Sequence, residues 1–165
     1  MSSTLGIAAG RSGSTTIMTT RVDFYQLSRD PVDITVAKLA RKVLQAGERL
    51  VVVSADEAQR HHLSKVLWEQ GGATFLANGM AGGPHETRQP ILISESCAAP
   101  NDARMLLVAD GVWRDEAPGF ERVLLLFDAD RRDAAAELWR RFAKDDAVDN
   151  RINKQDQDGA WREGA

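Results

Sequence analysis

The chain has a single cysteine, Cys97, in 165 residues. No internal disulfide is possible, and no thiolate metal cluster can form within one chain. Such usage suits a reducing cytosol. No apolar run approaches the roughly 20 residues that a helix needs to cross a bilayer. An excess of one charge is also missing. The 21 Lys and Arg against 24 Asp and Glu leave a formal net charge of −3. No global basic field therefore draws the protein to nucleic acid or to an anionic membrane, and any anion site must be a local patch. Glycine is absent where a dinucleotide fold needs it, because the turn after the first strand reads SRDPVD. No HExxH metal motif and no GxSxG serine elbow occur. Gly6, Gly10 and Gly13 with Ser14 and Thr15 resemble a phosphate loop only in composition. No lysine precedes the hydroxyl and no strand leads in. The first twenty residues also lack the basic and long apolar regions of a secretory signal.

What is present is ordinary for a soluble domain: 43% hydrophobic and 27% charged residues, in a chain long enough to bury a real core. Residues 1–20 read as a flexible leader, with Met18 as an alternative start. Residues 21–145 read as one domain. Residues 146–165 are polar, with isolated Ile152 and Trp161, and are expected to fray. Within the domain, Val22–Leu27 is predicted as a strand. A helix over 33–46 follows, with Ile34, Ala37, Leu39, Val43 and Leu44 as its apolar set and Gly47 as its stop. LVVV marks a buried strand within Arg49–Ser54. A helix from Asp56 to about Gln70 turns Leu63, Val66 and Leu67 inward and carries Trp68 near its end. A short strand is expected about Thr74–Leu76, then a loop over 77–89, strands Ile91–Ser94 and Met105–Ala109, and a turn region over 110–120. Buried strands alternating with helices predict an α/β class, a mainly parallel sheet with helices on both faces.

The stretch 121–145, ERVLLLFDADRRDAAAELWRRFAKD, concentrates the rest. Val123–Phe127 is a strand covered on both faces. Asp130 is a candidate N-cap, with Asp133 favouring the positive end of the helix. Ala134, Leu138 and Phe142 would face the sheet. Arg132, Ala136 and Arg140 fall on one stripe, bordered by Trp139. Such an edge can pair a carboxylate with a guanidinium while an aromatic group packs on the indole, and a solvated helix edge would look the same. Other candidates are weaker. His61 and His62 point about 100° apart on a helix and do not readily chelate one metal. His85 lies alone in a loop. Asp128 and Asp130, at a strand's C-terminal end, could hold magnesium, but a turn and a cap explain both. Cys97 has no histidine near it in sequence and reads as an inert thiol.

The order of motifs carries more than any one of them. A DFYQL-type first strand precedes a helix ending in AGERLVVVSADEAQRHHLSKVLWEQGGATFLANGMAGG. PILIS, MLLVADG, FERVLLLFD and the Trp-Arg-Arg helix follow. This order resembles the chi subunit of bacterial DNA polymerase III holoenzyme over about residues 21–145, most specifically from Gly47 to Ala81. The resemblance implies a Rossmann-like fold without a nucleotide site. It also implies a non-catalytic, cytoplasmic clamp-loader accessory protein with no cofactor and at most weak direct DNA contact. Its partners would be a psi subunit, which tethers it to the clamp loader, and single-stranded DNA-binding protein, whose acidic C-terminal tail ends in proline and phenylalanine. The tail site would take Trp68 and Phe75, an apolar residue of the last strand such as Leu125, and Trp139 with Arg140. The family's other basic position falls on Ala136, so Arg132 or Arg141 would have to supply that charge. Two other readings stay open. One is a small nucleotide- or phosphate-handling enzyme using Asp128 and Asp130. The other is a direct binder of single-stranded nucleic acid through Trp and Arg, which the low overall charge opposes.

Overall fold

Four apolar runs, LVVV, ILIS, MLLV and VLLLF, form the buried centre of one sheet. The computed structural model describes residues 19–70, 76–156, 158 and 160–164. In chain order its elements are β1 (Thr20–Gln26), α1 (Val32–Gln45), β2 (Leu50–Val53), α2 (Glu57–Gln70), β3 (Asn78–Met80), β4 (Ile91–Ser94), β5 (Met105–Val108), β6 (Arg122–Phe127), α3 (Arg132–Ala143), β7 (Val148–Gln155) and β8 (Trp161–Gly164). Among the described residues the strands join in the order β3-β4-β2-β5-β6-β1-β7-β8. All pair in parallel except β8, which runs antiparallel to β7. The α/β class and the mainly parallel sheet are as the sequence predicts.

Period-two alternation splits each central strand between two cores. Tyr25, Leu50, Val52, Leu124 and Leu126 meet α1 and α2 on one face. Phe24, Val51, Val53, Leu125 and Phe127 meet α3 and the segment after β5 on the other. The split follows from handedness. The crossovers β1–β2 and β2–β3 run one way along the sheet, and β6–β7 runs the other way. Right-handed connections must then cover opposite faces. Each fully buried Leu, Ile or Val contributes about 1.5–3 kcal/mol. α1 shows how local signals end a helix. Gly47 adopts φ +79°, the Gly47 N–H donates to the Leu44 carbonyl at 3.0 Å, and the Glu48 N–H donates to that of Val43 at 3.1 Å. That is a Schellman stop, which needs a residue tolerant of the left-handed region.

Three expectations are corrected. The strand expected at 74–76 is at Asn78–Met80, inside the stretch read as loop; residues 71–75 lie outside the described residues. Polar anchors, not an apolar run, place it: Ser64 Oγ donates to Asn78 Oδ1 at 2.6 Å, and Asn78 Nδ2 donates to the Leu76 carbonyl at 2.9 Å. The described part of the segment 146–165 does not form a frayed tail. β7 pairs with β1 from Thr20↔Val148 to Gln26↔Lys154, and β8 returns along it. Backbone partners and the side-chain amides of Asn150 and Asn153 hold this half-buried ribbon, so the apolar pattern is faint. The domain thus runs on to Gly164, while residues 1–18 of the expected leader lie outside the described residues. Finally, a 3-10 turn at Ala129–Arg131 precedes α3, and the Asp130 N–H donates to Asp128 Oδ1 at 3.0 Å. Asp128 caps this 3-10 turn, and α3 itself starts from Arg131 without a side-chain cap, so Asp130 is not its N-cap. The extra turn sets the phase of the helix, so Ala135 and Phe142 are buried, Leu138 is half-buried and Ala134 is exposed.

Candidate functional site

The four-residue stripe of α3 becomes one wall of a groove. Arg132, Ala136 and Arg140, with Trp139 beside them, line a cavity of about 290 Å³. β7 forms the opposite wall with Ile152 and Lys154, and Phe24 and Phe127 lie at the base. Among the described residues the lining contains three cations and no carboxylate. Arg132, Arg140 and Lys154 are all exposed, and none makes an ion pair with another described residue.

The apolar part of the groove is rigidly supported. Phe24 meets three rings edge-on, with centroid distances of 5.3 Å to Trp139, 6.3 Å to Phe142 and 6.4 Å to Phe127. Each such pair adds about 0.5–1.5 kcal/mol beyond area burial. Asn150 Nδ2 donates to the Trp139 carbonyl at 3.3 Å, tying β7 to the helix. The indole is therefore fixed, half-buried, at the side of an open apolar floor. A floor of aromatic and aliphatic groups framed by cations can hold an apolar side chain that sits next to carboxylates.

Of the site residues expected from sequence, the structure brings together Arg132, Trp139 and Arg140. Leu125 lies on the same face of the sheet but is 1% exposed, within the core beneath α3. Trp68 is 46% exposed on α2, which packs on the opposite face. The sheet separates it from Leu125, Trp139 and Arg140, so the pocket expected to combine them is not built. Helical periodicity marks Trp68 as outward-facing, but the direction of the crossover decides which face α2 covers. Phe75 lies outside the described residues. Arg141 does not line the groove; its guanidinium carbon stands 5.3 Å from the centre of the Phe142 ring. Lys154 and Ile152 were missed in the sequence. Their only signal was the two-residue spacing of Asn150, Ile152 and Lys154.

A larger cleft of about 610 Å³ opens at the C-terminal ends of the strands, where α/β proteins often place ligands. It is lined by Asp56, Asp110, Asp128 and Asp130, with Arg131. Asp110 is already engaged. It accepts from Arg114 at 2.8 and 2.9 Å and from the Ala55 and Val112 N–H groups at 2.9 and 3.1 Å. Burial alone would raise its pKa, but these donors outweigh burial and hold the carboxyl below its ordinary 3.8. Asp128 is occupied as a cap. Four carboxylates and one arginine repel a phosphate rather than cradle it. His62 Nε2 lies 2.8 Å from Asp33 Oδ2, linking α2 to α1, and His61 is exposed. Burial pushes the Cys97 thiol up, away from the reactive thiolate. Among the described residues no group of three or more His, Cys, Asp and Glu could hold a metal ion, and no helix is long and apolar enough to cross a membrane.

Comparison with known proteins agrees with the resemblance. Residues 18–148 match the family described as DNA polymerase III chi subunit, HolC. A protein of Rickettsia prowazekii (strain Madrid E), named "Probable DNA polymerase III subunit chi", is 23% identical over 146 residues, covering 83% of this chain and 87% of that protein. A Pseudomonas aeruginosa protein named "DNA polymerase III subunit chi" is 36% identical over 104 residues, covering 61% of this chain and 69% of its own length. The family match ends at the first residue of β7, so nearly all of the C-terminal ribbon lies past it.

Proposed function

The chain belongs to the DNA polymerase III chi subunit family, accessory subunits of the replicative polymerase holoenzyme, and from that premise we propose that it links the clamp loader to template coated with single-stranded DNA-binding protein. It acts as a cytoplasmic adaptor, without catalysis. A psi-like subunit carries it to the clamp loader. The groove between α3 and β7 grips the acidic C-terminal tail of single-stranded DNA-binding protein.

The observation that carries this reading is the groove's lining, which among the described residues has three exposed cations, no carboxylate and an aromatic base. A terminal phenylalanine would lie on the apolar floor against Trp139, with its carboxylate on Arg140. Acidic residues upstream would meet Arg132. Contacts of this kind in an open groove give modest affinity that falls as salt rises. Calorimetric titration with a tail peptide tests it. Arg140→Ala should weaken binding by about 1–3 kcal/mol, the range of a charge-assisted hydrogen bond. Unchanged affinity would overturn the assignment of Arg140. Direct binding of single-stranded DNA is tested in the same way with a bare oligonucleotide, for which a net charge of −3 predicts weak binding at best.

A further inference from the structure

Arg132 and Arg140 stand eight residues apart on α3, about 12 Å along the axis, and only the methyl group of Ala136 lies between them on that stripe. An extended peptide of three to four residues spans about that distance. The α3 wall therefore offers charge at both ends and none at the middle.

Lys154 faces this gap from the other wall. It sits opposite Gln26 at the end of β1, and its stem lies over the bare face of Gly164, where a methyl group would meet Lys154 Cδ at 3.6 Å and Cγ at 3.8 Å. Its cross-strand neighbour Arg162 is held by Asp156 at 2.7 Å. Asp156 also accepts from the Ala160 and Asp158 N–H groups. The neighbouring charge is thus spent within the ribbon, while Lys154 makes no ion pair with a described residue. Ile152, two residues earlier on the same face, adds apolar wall beside Trp139 and Phe24.

We infer that Lys154 reads acid in this groove: carried by the C-terminal ribbon, it takes a side-chain carboxylate of the bound acidic peptide, upstream of the terminal residue. Arg140 holds the terminal carboxylate, Arg132 flanks the upstream end, and Lys154 covers the stretch that Ala136 leaves uncharged. This inference rests on the groove being the tail site.

The test uses the full chain and two synthetic peptides, both ending in proline and phenylalanine. One has aspartates upstream; the other has asparagines in their place. Lys154→Ala should weaken the aspartate peptide roughly 3- to 10-fold at low salt. It should leave the asparagine peptide within about twofold, since the lost contact is ionic. Lys154→Arg should bind as the parent does. The double variant Lys154→Ala/Ala136→Lys, which returns an ammonium group from the facing wall, should recover most of the loss. Lys154 is exposed, so these variants should fold, as thermal melting would verify. If Lys154→Ala binds the aspartate peptide normally while Arg140→Ala is weakened, the inference fails and the groove stands. Equal weakening of both peptides by Lys154→Ala would also overturn it, because Lys154 would then act through packing. Normal binding by both variants would remove the groove as the tail site altogether.

Discussion

Asp23 lies in the middle of β1 with its side chain fully buried (0% exposed). Its Oδ2 accepts from Arg122 Nε at 2.6 Å and its Oδ1 from Arg21 Nε at 3.1 Å. The two arginine side chains are 34% and 36% exposed, so each can turn partly to water. The carboxylate cannot. This asymmetry sets an order of effects. Asp23→Asn takes the negative charge from both charge-assisted bonds, worth about 1.5–3 kcal/mol each before screening, and leaves one acceptor oxygen for two guanidinium donors. The guanidinium groups regain solvent, so the net loss should be about 2–3 kcal/mol. Removing both arginines leaves a buried carboxylate without a cation, a loss of about 3–5 kcal/mol. The double variant Arg21→Ala/Arg122→Ala should therefore be the less stable by about 1–2 kcal/mol. Urea unfolding at pH 7 measures this, provided the slope against urea is unchanged between variants. A larger loss for Asp23→Asn than for the double variant would show that the carboxylate is not the group that suffers from isolation.

Two further outcomes follow from the same physics. Burial works against the Asp110 carboxylate, but Arg114 and two backbone donors outweigh it and hold the folded pKa below 3.8. Its contribution is fully present above the unfolded value and is lost as pH falls through the folded one. The stability gap between the parent and Asp110→Asn should stay constant from pH 7 to about pH 5 and narrow below 3.8. A gap that widens in acid, followed by urea unfolding across pH, would contradict this sign. Truncation before Val148 removes the ladder along Thr20–Gln26 and the partly buried Val148, Ile152 and Trp161. At about 1 kcal/mol or more for each of these side chains, the loss should reach at least about 3 kcal/mol. A truncated chain of undiminished stability would show that the ribbon is not part of the folded unit.

The central strands were legible because burial on both faces leaves a continuous apolar run, as in LVVV and MLLV. The ribbon was not. Val148–Gln155 shows a single side to the core and uses amide side chains, Asn150 and Asn153, to hold its place. Read as composition, that looks like a tail. The α3 stripe of Arg132, Ala136 and Arg140 was visible because helical period alone places it. Trp68 lies on the face opposite Trp139 for a reason that period does not carry. Period shows which residues of α2 point outward, whereas its face of the sheet follows from the direction of the β2–β3 crossover, opposite to that of β6–β7. Asp130 does not cap α3 because one 3-10 turn, which no local signal marks and which Asp128 caps, precedes the helix. The groove's second wall was hidden with the ribbon, and Lys154 with it.

In the function proposed above, the α3–β7 groove joins this chain to single-stranded DNA-binding protein through that protein's acidic tail. The most direct measurement passes the chain over single-stranded DNA coated with that protein, either intact or lacking its last few residues. Retention is expected on the intact coat, loss on the truncated coat, and the same loss for Arg140→Ala with Lys154→Ala on the intact coat. Equal retention on both coats, or on bare DNA, would contradict it.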